Sequence, residues 1–122
     1  MNNCVFCKII NKELPSYKIY EDEQILAFLS IEPISNGHTL VIPKKHILNF
    51  KEINLETLNH LMKVSKNIYN LLEEKLSPDS IKLVQNNGSI QEVKHFHLHL
   101  IPMYDEKQEK LSLDEIHNKI TK

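Results

Sequence analysis

The run His95-Phe96-His97-Leu98-His99-Leu100-Ile101-Pro102 reads as a single β-strand, extending from about Lys94 to Ile101 and closed by proline. Alternate side chains of a strand point to the same face. His95, His97 and His99 therefore share one face, and Phe96, Leu98 and Leu100 pack on the other. Three imidazoles in a row make a poor core, because each ring carries two nitrogens that need partners. They suit a reaction surface better. Three readings stand on this strand alone. All three rings hold a catalytic metal with one coordination position open. Alternatively, one neutral imidazole attacks phosphorus while its neighbours bind phosphate oxygens or hold the tautomer. In the third reading the histidines are a solvated stripe on an exposed sheet face.

Working outward, Asn86-Asn87-Gly88 marks a turn before this strand, and a further strand is expected from about Ile81 to Gln85. Before that lies a long helix. Asn54 caps it, Glu56 suits its positive first turn, and Leu58, Leu61, Met62, Ile68, Leu71 and Leu72 form an apolar face that ends at Leu76-Ser77-Pro78. Gly37-His38-Thr39-Leu40-Val41-Ile42-Pro43 reads as a strand rich in branched residues. Lys18-Ile19-Tyr20 and Ile25-Leu26-Ala27-Phe28-Leu29, separated by Glu21-Asp22-Glu23, form a hairpin. Val5 to Ile10 is a short helix, ended by Leu14-Pro15-Ser16. Ser112-Leu113-Asp114-Glu115 carries a capping-box pattern, so a short helix is expected there. The fold class is α+β: an antiparallel sheet of about five strands, one long helix and a short N-terminal helix.

The chain has 122 residues, enough for one domain spanning 1–122, with a core at about 4–102 and a tail at 103–122. Its net charge of -1 gives no broad basic field for a nucleic-acid backbone, so any phosphate must be bound by a few aimed donors. Aliphatic runs such as Leu40-Val41-Ile42 are too short to cross a membrane, and Met1-Asn2-Asn3-Cys4 lacks the features of a leader. Cys4 and Cys7 are too close to staple a fold, and suit a thiol pair in a reducing compartment, the cytoplasm by default. The CxxC pair is open between zinc, redox chemistry and accident, with no thioredoxin-like pattern around it to support the redox reading.

Several pieces in fixed order carry a resemblance. They are Cys4-Val5-Phe6-Cys7-Lys8-Ile9-Ile10, Glu21-Asp22, Gly37 to His46, Asn86-Asn87-Gly88, Gln91 and the histidine strand. Together they resemble the histidine triad (HIT) family of nucleotide hydrolases and transferases over Cys4 to Pro102. The resemblance implies a homodimer whose two protomers form a continuous sheet. It implies that His97 attacks the α-phosphorus of a nucleoside phosphoramidate or related phosphoanhydride and forms a nucleotidyl-histidine, which water hydrolyses. His99 contacts a phosphate oxygen, and Asn86 with the N–H groups around Gly88 completes an anion cradle, although Asn86-Asn87-Gly88 read alone is simply a hairpin turn. Gln91 belongs to the same substrate-binding set. His38 supports the triad from a neighbouring strand or is a buried structural histidine. His60 and His117 are assigned to solvent.

The resemblance also implies an apolar purine-nucleoside site formed by Val5, Phe6, Ile9, Phe28 and Ile31, positions that otherwise read as ordinary core. The branch with the cysteine pair resembles the uridylyltransferases of galactose metabolism. It implies a structural Zn2+ on Cys4, Cys7, His46 and His95, a closed four-ligand set. Three positions depart from the family pattern. Ser30 stands where an acidic residue grips the ribose, the loop from Gly88 to Gln91 is short and lacks a second glycine, and Glu92 replaces a Ser or Thr that donates to the leaving group. An ionised carboxylate only accepts. Ser30 and Glu92 keep an alternative function in play, a nucleotide-binding or protein-interaction module with little turnover.

Overall fold

The computed structural model describes residues 3–122; Met1 and Asn2, at the start of the stretch read against a leader, lie outside the described residues. Five strands form one antiparallel sheet: β1 (Lys18–Glu21), β2 (Ile25–Leu29), β3 (Thr39–Pro43), β4 (Ser80–Val84) and β5 (Leu98–Met103), in the order β1-β2-β3-β5-β4. Helices α1 (Val5–Ile10), α2 (Leu55–Leu76) and α3 (Leu113–Thr121) complete the chain, with a 3-10 turn at Gly88–Ile90. Among the described residues no helix is long and apolar enough to cross a membrane.

The period-2 alternation of the strands sorts the core into two halves. Ile25, Ala27, Leu29, Val41, Leu98 and Leu100 meet Leu61, Val64, Ile68 and Leu72 of α2 and Ile116 and Ile120 of α3. Leu26, Phe28, Leu40 and Ile42 meet Phe6 of α1 on the opposite face. The central strands β2 and β3 are thus buried on both faces, which explains why they read as unbroken apolar runs. On α2, Val64 joins the buried stripe and Met62 stays 39% exposed, a shift of the apolar face from the expected one.

The local signals account for the helix ends. Asn54 caps α2 by accepting from the Thr57 N–H at 2.8 Å, and Ser112 with Glu115 forms the reciprocal capping box of α3. α1 stops at Ile10 with Asn11 as its cap, well before Leu14-Pro15-Ser16. α3 is not an appendage to the core. Its Ile116 and Ile120 are buried in the main cluster, and His117 Nε2 donates to the Lys18 carbonyl at 2.8 Å across 99 residues of sequence. The tail thereby closes over its own sheet. Gly37 is a second fixed point. Its φ of +95° is a left-handed conformation, and a Cβ there would lie 2.4 Å from Leu76 Cδ1 at the end of α2.

The histidine strand is shorter at its start and longer at its end than the sequence suggests. Ladder pairing begins only at Leu98, because the Phe96 N–H donates to the Ile47 carbonyl at 2.7 Å and ties the preceding residues to the loop after His46. At the other end Pro102 pairs opposite Ile81, with its carbonyl accepting from the Ser35 hydroxyl, so the strand continues to Met103. Proline here does not end the strand. β4 likewise spans Ser80–Val84, one residue earlier than expected at each end.

Candidate functional site

His99 lies on the α1 face of β5, and His97 precedes it at the strand entrance with its ring 4.8 Å away, edge to face. His97 Nδ1 donates to the His95 carbonyl at 2.7 Å. This bond fixes the proton on Nδ1 and leaves the Nε2 lone pair free. His99 is fixed through a neighbour. The Ile34 N–H donates to His38 Nδ1 at 3.1 Å, so the single ring proton of neutral His38 is on Nε2. That nitrogen donates to His99 Nδ1 at 2.9 Å, which leaves His99 with its proton on Nε2. The pair thus presents one nucleophilic lone pair and one N–H donor.

Burial favours the neutral forms of these rings. Desolvation, helped by the neighbouring imidazoles, pulls His38 and His99 down to about 4. Desolvation also lowers His97, against the opposing effects of its bond to the His95 carbonyl and the nearby negative charge of Glu92. Phe6 causes part of that desolvation: its ring packs edge-on to His97 at 5.1 Å and to Phe28 at 5.5 Å. Phe6 and Phe28 are buried and Ile9 is half-buried, forming an apolar wall beside His97. Val5 is 37% exposed. Ile31 is 74% exposed and stands outside that wall, while the half-buried Ser30 turns its hydroxyl to accept from the Glu32 N–H at 3.2 Å.

The loop before the histidines is held from several sides. Gly88 adopts φ +81°, starts the 3-10 turn, and gives its carbonyl to Lys94 Nζ at 2.8 Å. Asn87 Oδ1 accepts from the Phe50 N–H at 2.8 Å. Gln91 is buried, and its Nε2 donates to the Leu48 carbonyl at 2.6 Å, so its amide nitrogen ties two loops together. Asn86 is half-buried and Glu92 is exposed.

A second cluster lies behind the first. Cys4 caps α1, its sulfur accepting from the Cys7 N–H at 3.4 Å, and one helical turn brings Cys7 beside it. His95 donates from Nε2 to the Pro43 carbonyl at 2.7 Å and turns Nδ1 to the sulfurs, 3.4 Å from Cys4 and 3.7 Å from Cys7. His46 Nδ1 is 3.2 Å from Cys7 Sγ. The four donor atoms all lie within 4.8 Å of one another. Tetrahedral binding with metal–sulfur bonds of about 2.3 Å and metal–nitrogen bonds of about 2.0 Å demands ligand–ligand separations of roughly 3.3 to 3.8 Å. Burial, and then the adjoining Cys4, push the Cys7 thiol up to about 11, a penalty on the thiolate that a bound cation reverses. The residues fit a metal.

This arrangement separates the three histidines. The nitrogen that His95 leaves free faces the cysteines, and His97 and His99 each commit Nδ1 elsewhere, so the three rings do not converge on one ion. Burial of His95 and His97 also removes the solvated-stripe reading. His60 and His117 are not simply solvated: His60 Nε2 lies 2.7 Å from Asp22 Oδ2, and His117 holds the Lys18 carbonyl. Sequence reasoning missed the backbone partners at Ile34, Pro43 and Leu48, because no side-chain pattern encodes them.

The sequence matches the HIT domain over residues 11–106. It is 45% identical over 117 residues to an uncharacterized HIT-like protein of Methanocaldococcus jannaschii, covering 94% of this chain and 90% of that one. It is 44% identical over 106 residues to the adenosine 5'-monophosphoramidase of Saccharomyces cerevisiae, covering 85% of this chain and 65% of that protein. Its fold superposes with a TM-score of 0.89 on a zinc-bound histidine triad family protein from Mycobacterium smegmatis, at 32% identity, with 98% and 91% of the two chains covered.

The lowered imidazoles predict acid sensitivity. Unfolded histidines take up protons as the pH falls through about 6.5, whereas His38 and His99 in the folded protein resist protonation down to about 4. Their contribution to stability is therefore complete above pH 6.5 and is lost progressively from there to pH 4. Urea denaturation at pH 7, 6 and 5 will show stability falling, with a shallower slope in His38→Gln. An identical slope in that variant would refute the assignment.

Proposed function

The chain belongs to the HIT domain family, and on that premise we propose that it cleaves nucleoside phosphoramidates at the α-phosphorus through a nucleotidyl-histidine on His97. The observation that carries this reading is the His97 Nδ1 bond to the His95 carbonyl, which aims an unprotonated Nε2 outward. In the first step Nε2 bonds to phosphorus, the P–N bond breaks, and the departing amine takes up a proton from solvent. In the second, water attacks the same phosphorus and gives up a proton to solvent, the histidine nitrogen departs neutral, and the nucleotide leaves. His99 Nε2–H donates to a non-bridging oxygen as charge develops, and the Asn86 side chain with N–H groups near Gly88 supplies the rest of the anion cradle. Phe6, Ile9 and Phe28 offer a purine an apolar wall, with Ser30 and Ile31 towards the sugar.

Two observations favour a second reading, a nucleotide-binding module with little turnover. Ser30 already spends a lone pair on Glu32, and the Glu92 carboxylate adds negative charge near His97. One experiment separates the two. AMP release from adenosine phosphoramidate is expected from the native protein and should fall at least about a thousandfold in His97→Ala. AMP binding without release by the native protein would favour the second reading.

The cysteine–histidine cluster is proposed to hold a structural Zn2+ through Cys4, Cys7, His46 and His95, joining α1 and the loop after Pro43 to the entrance of β5. When bound, the ion supplies charge to keep both sulfurs as thiolates, and a reducing cytoplasm keeps them available. Metal analysis should find about one zinc per chain, and a strong chelator should lower Tm by roughly ten degrees or more. Unchanged Tm after complete zinc removal would refute the structural role.

The chain is also proposed to form a homodimer through β4. This strand is an open edge of the sheet, and beside it Leu83 is 46% and Met62 39% exposed, with Tyr69 half-buried between them. Such an edge needs cover, and a second copy in antiparallel register supplies it while extending the sheet. Sedimentation of native protein should show a dimer and that of Leu83→Lys a monomer; a dimer in both would place the contact elsewhere.

A further inference from the structure

The loop between β2 and β3 is gripped by a segment far away in sequence. Residues 105–110 are all exposed and have no apolar anchor of their own, yet they lie against this loop. Asn36 holds them. Its Nδ2 donates to the Glu109 carbonyl at 2.8 Å, its Oδ1 accepts from the Leu111 N–H at 3.1 Å, and its carbonyl accepts from the Tyr104 hydroxyl at 2.8 Å. Ser35 adds a bond from its hydroxyl to the Pro102 carbonyl. Downstream, Gly37 is pressed against Leu76, so the loop has little room on that side.

The same loop carries the Ile34 N–H that donates to His38 Nδ1, and the His38 N–H donates to Ser35 O at 3.2 Å. Hydrogen bonds at Asn36, the backbone from Asn36 through Ser35 to Ile34, and the Ile34–His38 and His38–His99 bonds therefore join the exposed segment to His99.

We propose that the strap formed by residues 104–111 acts through Asn36 to fix which nitrogen of His99 carries its proton, which makes Asn36 a positioning residue for the site. The inference rests on the reading that His99 meets a phosphate oxygen. With the loop clamped, the Ile34 N–H occupies His38 Nδ1, His38 donates from Nε2, and His99 keeps its own proton on Nε2, pointed at the substrate. With the clamp released, Ile34 withdraws and His38 is free to carry its proton on Nδ1. His38 Nε2 then accepts from His99 Nδ1–H, and His99 turns a lone pair towards the phosphate. One proton shift in each ring exchanges a donor for an acceptor where negative charge develops. Two lone pairs facing each other repel, so the cost falls on the transition state, where the oxygen charge is greatest.

The test uses the full chain with its metal. Ring-nitrogen NMR reports the His99 tautomer directly, without need of turnover, and steady-state kinetics on adenosine phosphoramidate reports its consequence. Native protein is expected to show His99 as the Nε2–H form. Asn36→Ala should show a mixture of tautomers, with kcat reduced about tenfold and KM changed by less than about twofold. Tyr104→Phe, which removes a single bond to the Asn36 carbonyl, should move both readouts in the same direction to a smaller extent, and it serves alone should Asn36→Ala fail to fold. A pure Nε2–H form of His99 in either folded variant, accompanied only by a lower Tm, overturns the proposal and leaves Asn36 a structural tie. Absence of turnover by native protein with the tautomer shift present overturns the phosphoramidase reading instead, and the NMR result still stands.

Discussion

His95 is the residue on which the two halves of the site depend. One side chain and one carbonyl do three jobs. Nε2 is fixed by the Pro43 carbonyl at the end of β3, Nδ1 faces the two cysteines, and the backbone oxygen holds His97 Nδ1. A rotation of that residue would loosen the thiol cluster and the orientation of His97 together. The burial of His95, at 0% exposure, is what makes such a rotation expensive, since each of its polar atoms would lose a partner inside the protein. Among the described residues no buried side-chain nitrogen or oxygen lacks a partner.

The sheet supplies the second constraint. β2, β3 and β5 alternate between a face that meets α2 and α3 and a face that meets α1. Phe96, Leu98 and Leu100 on the helix face fix the register of β5, and register in turn decides that His99 emerges beside Leu40 and His38. A slip by one residue would bury the histidines under α2 and expose the leucines. Packing on one face therefore positions the histidines on the other.

Much of this was legible in the chain. The alternation of histidine and apolar residues, the Asn54 cap and the Ser112–Glu115 box are local patterns with direct physical meaning, and each element they mark is present. Less legible was anything set by long-range backbone bonds. β5 starts later than its alternation suggests because the Phe96 N–H is captured by Ile47, a contact with no local signature. Pro102 reads as a terminator, yet its carbonyl has a partner in Ser35 and it pairs opposite Ile81 within the strand. For His38, sequence alone could not choose between a structural and a supporting role. In the structure the bonds that satisfy its burial also tie its ring to His99.

The packing of α3 has a consequence for folding. Ile116 and Ile120 complete the same cluster that covers Ile25, Ala27 and Leu29, and His117 reaches back to β1. α2 covers part of these strands, but α3 lies about ninety residues further along the chain, and closing a loop of that length carries its full entropy cost before the contact is made. The β1–β2 hairpin therefore gains the last part of its apolar cover only when residues 113–121 dock against it.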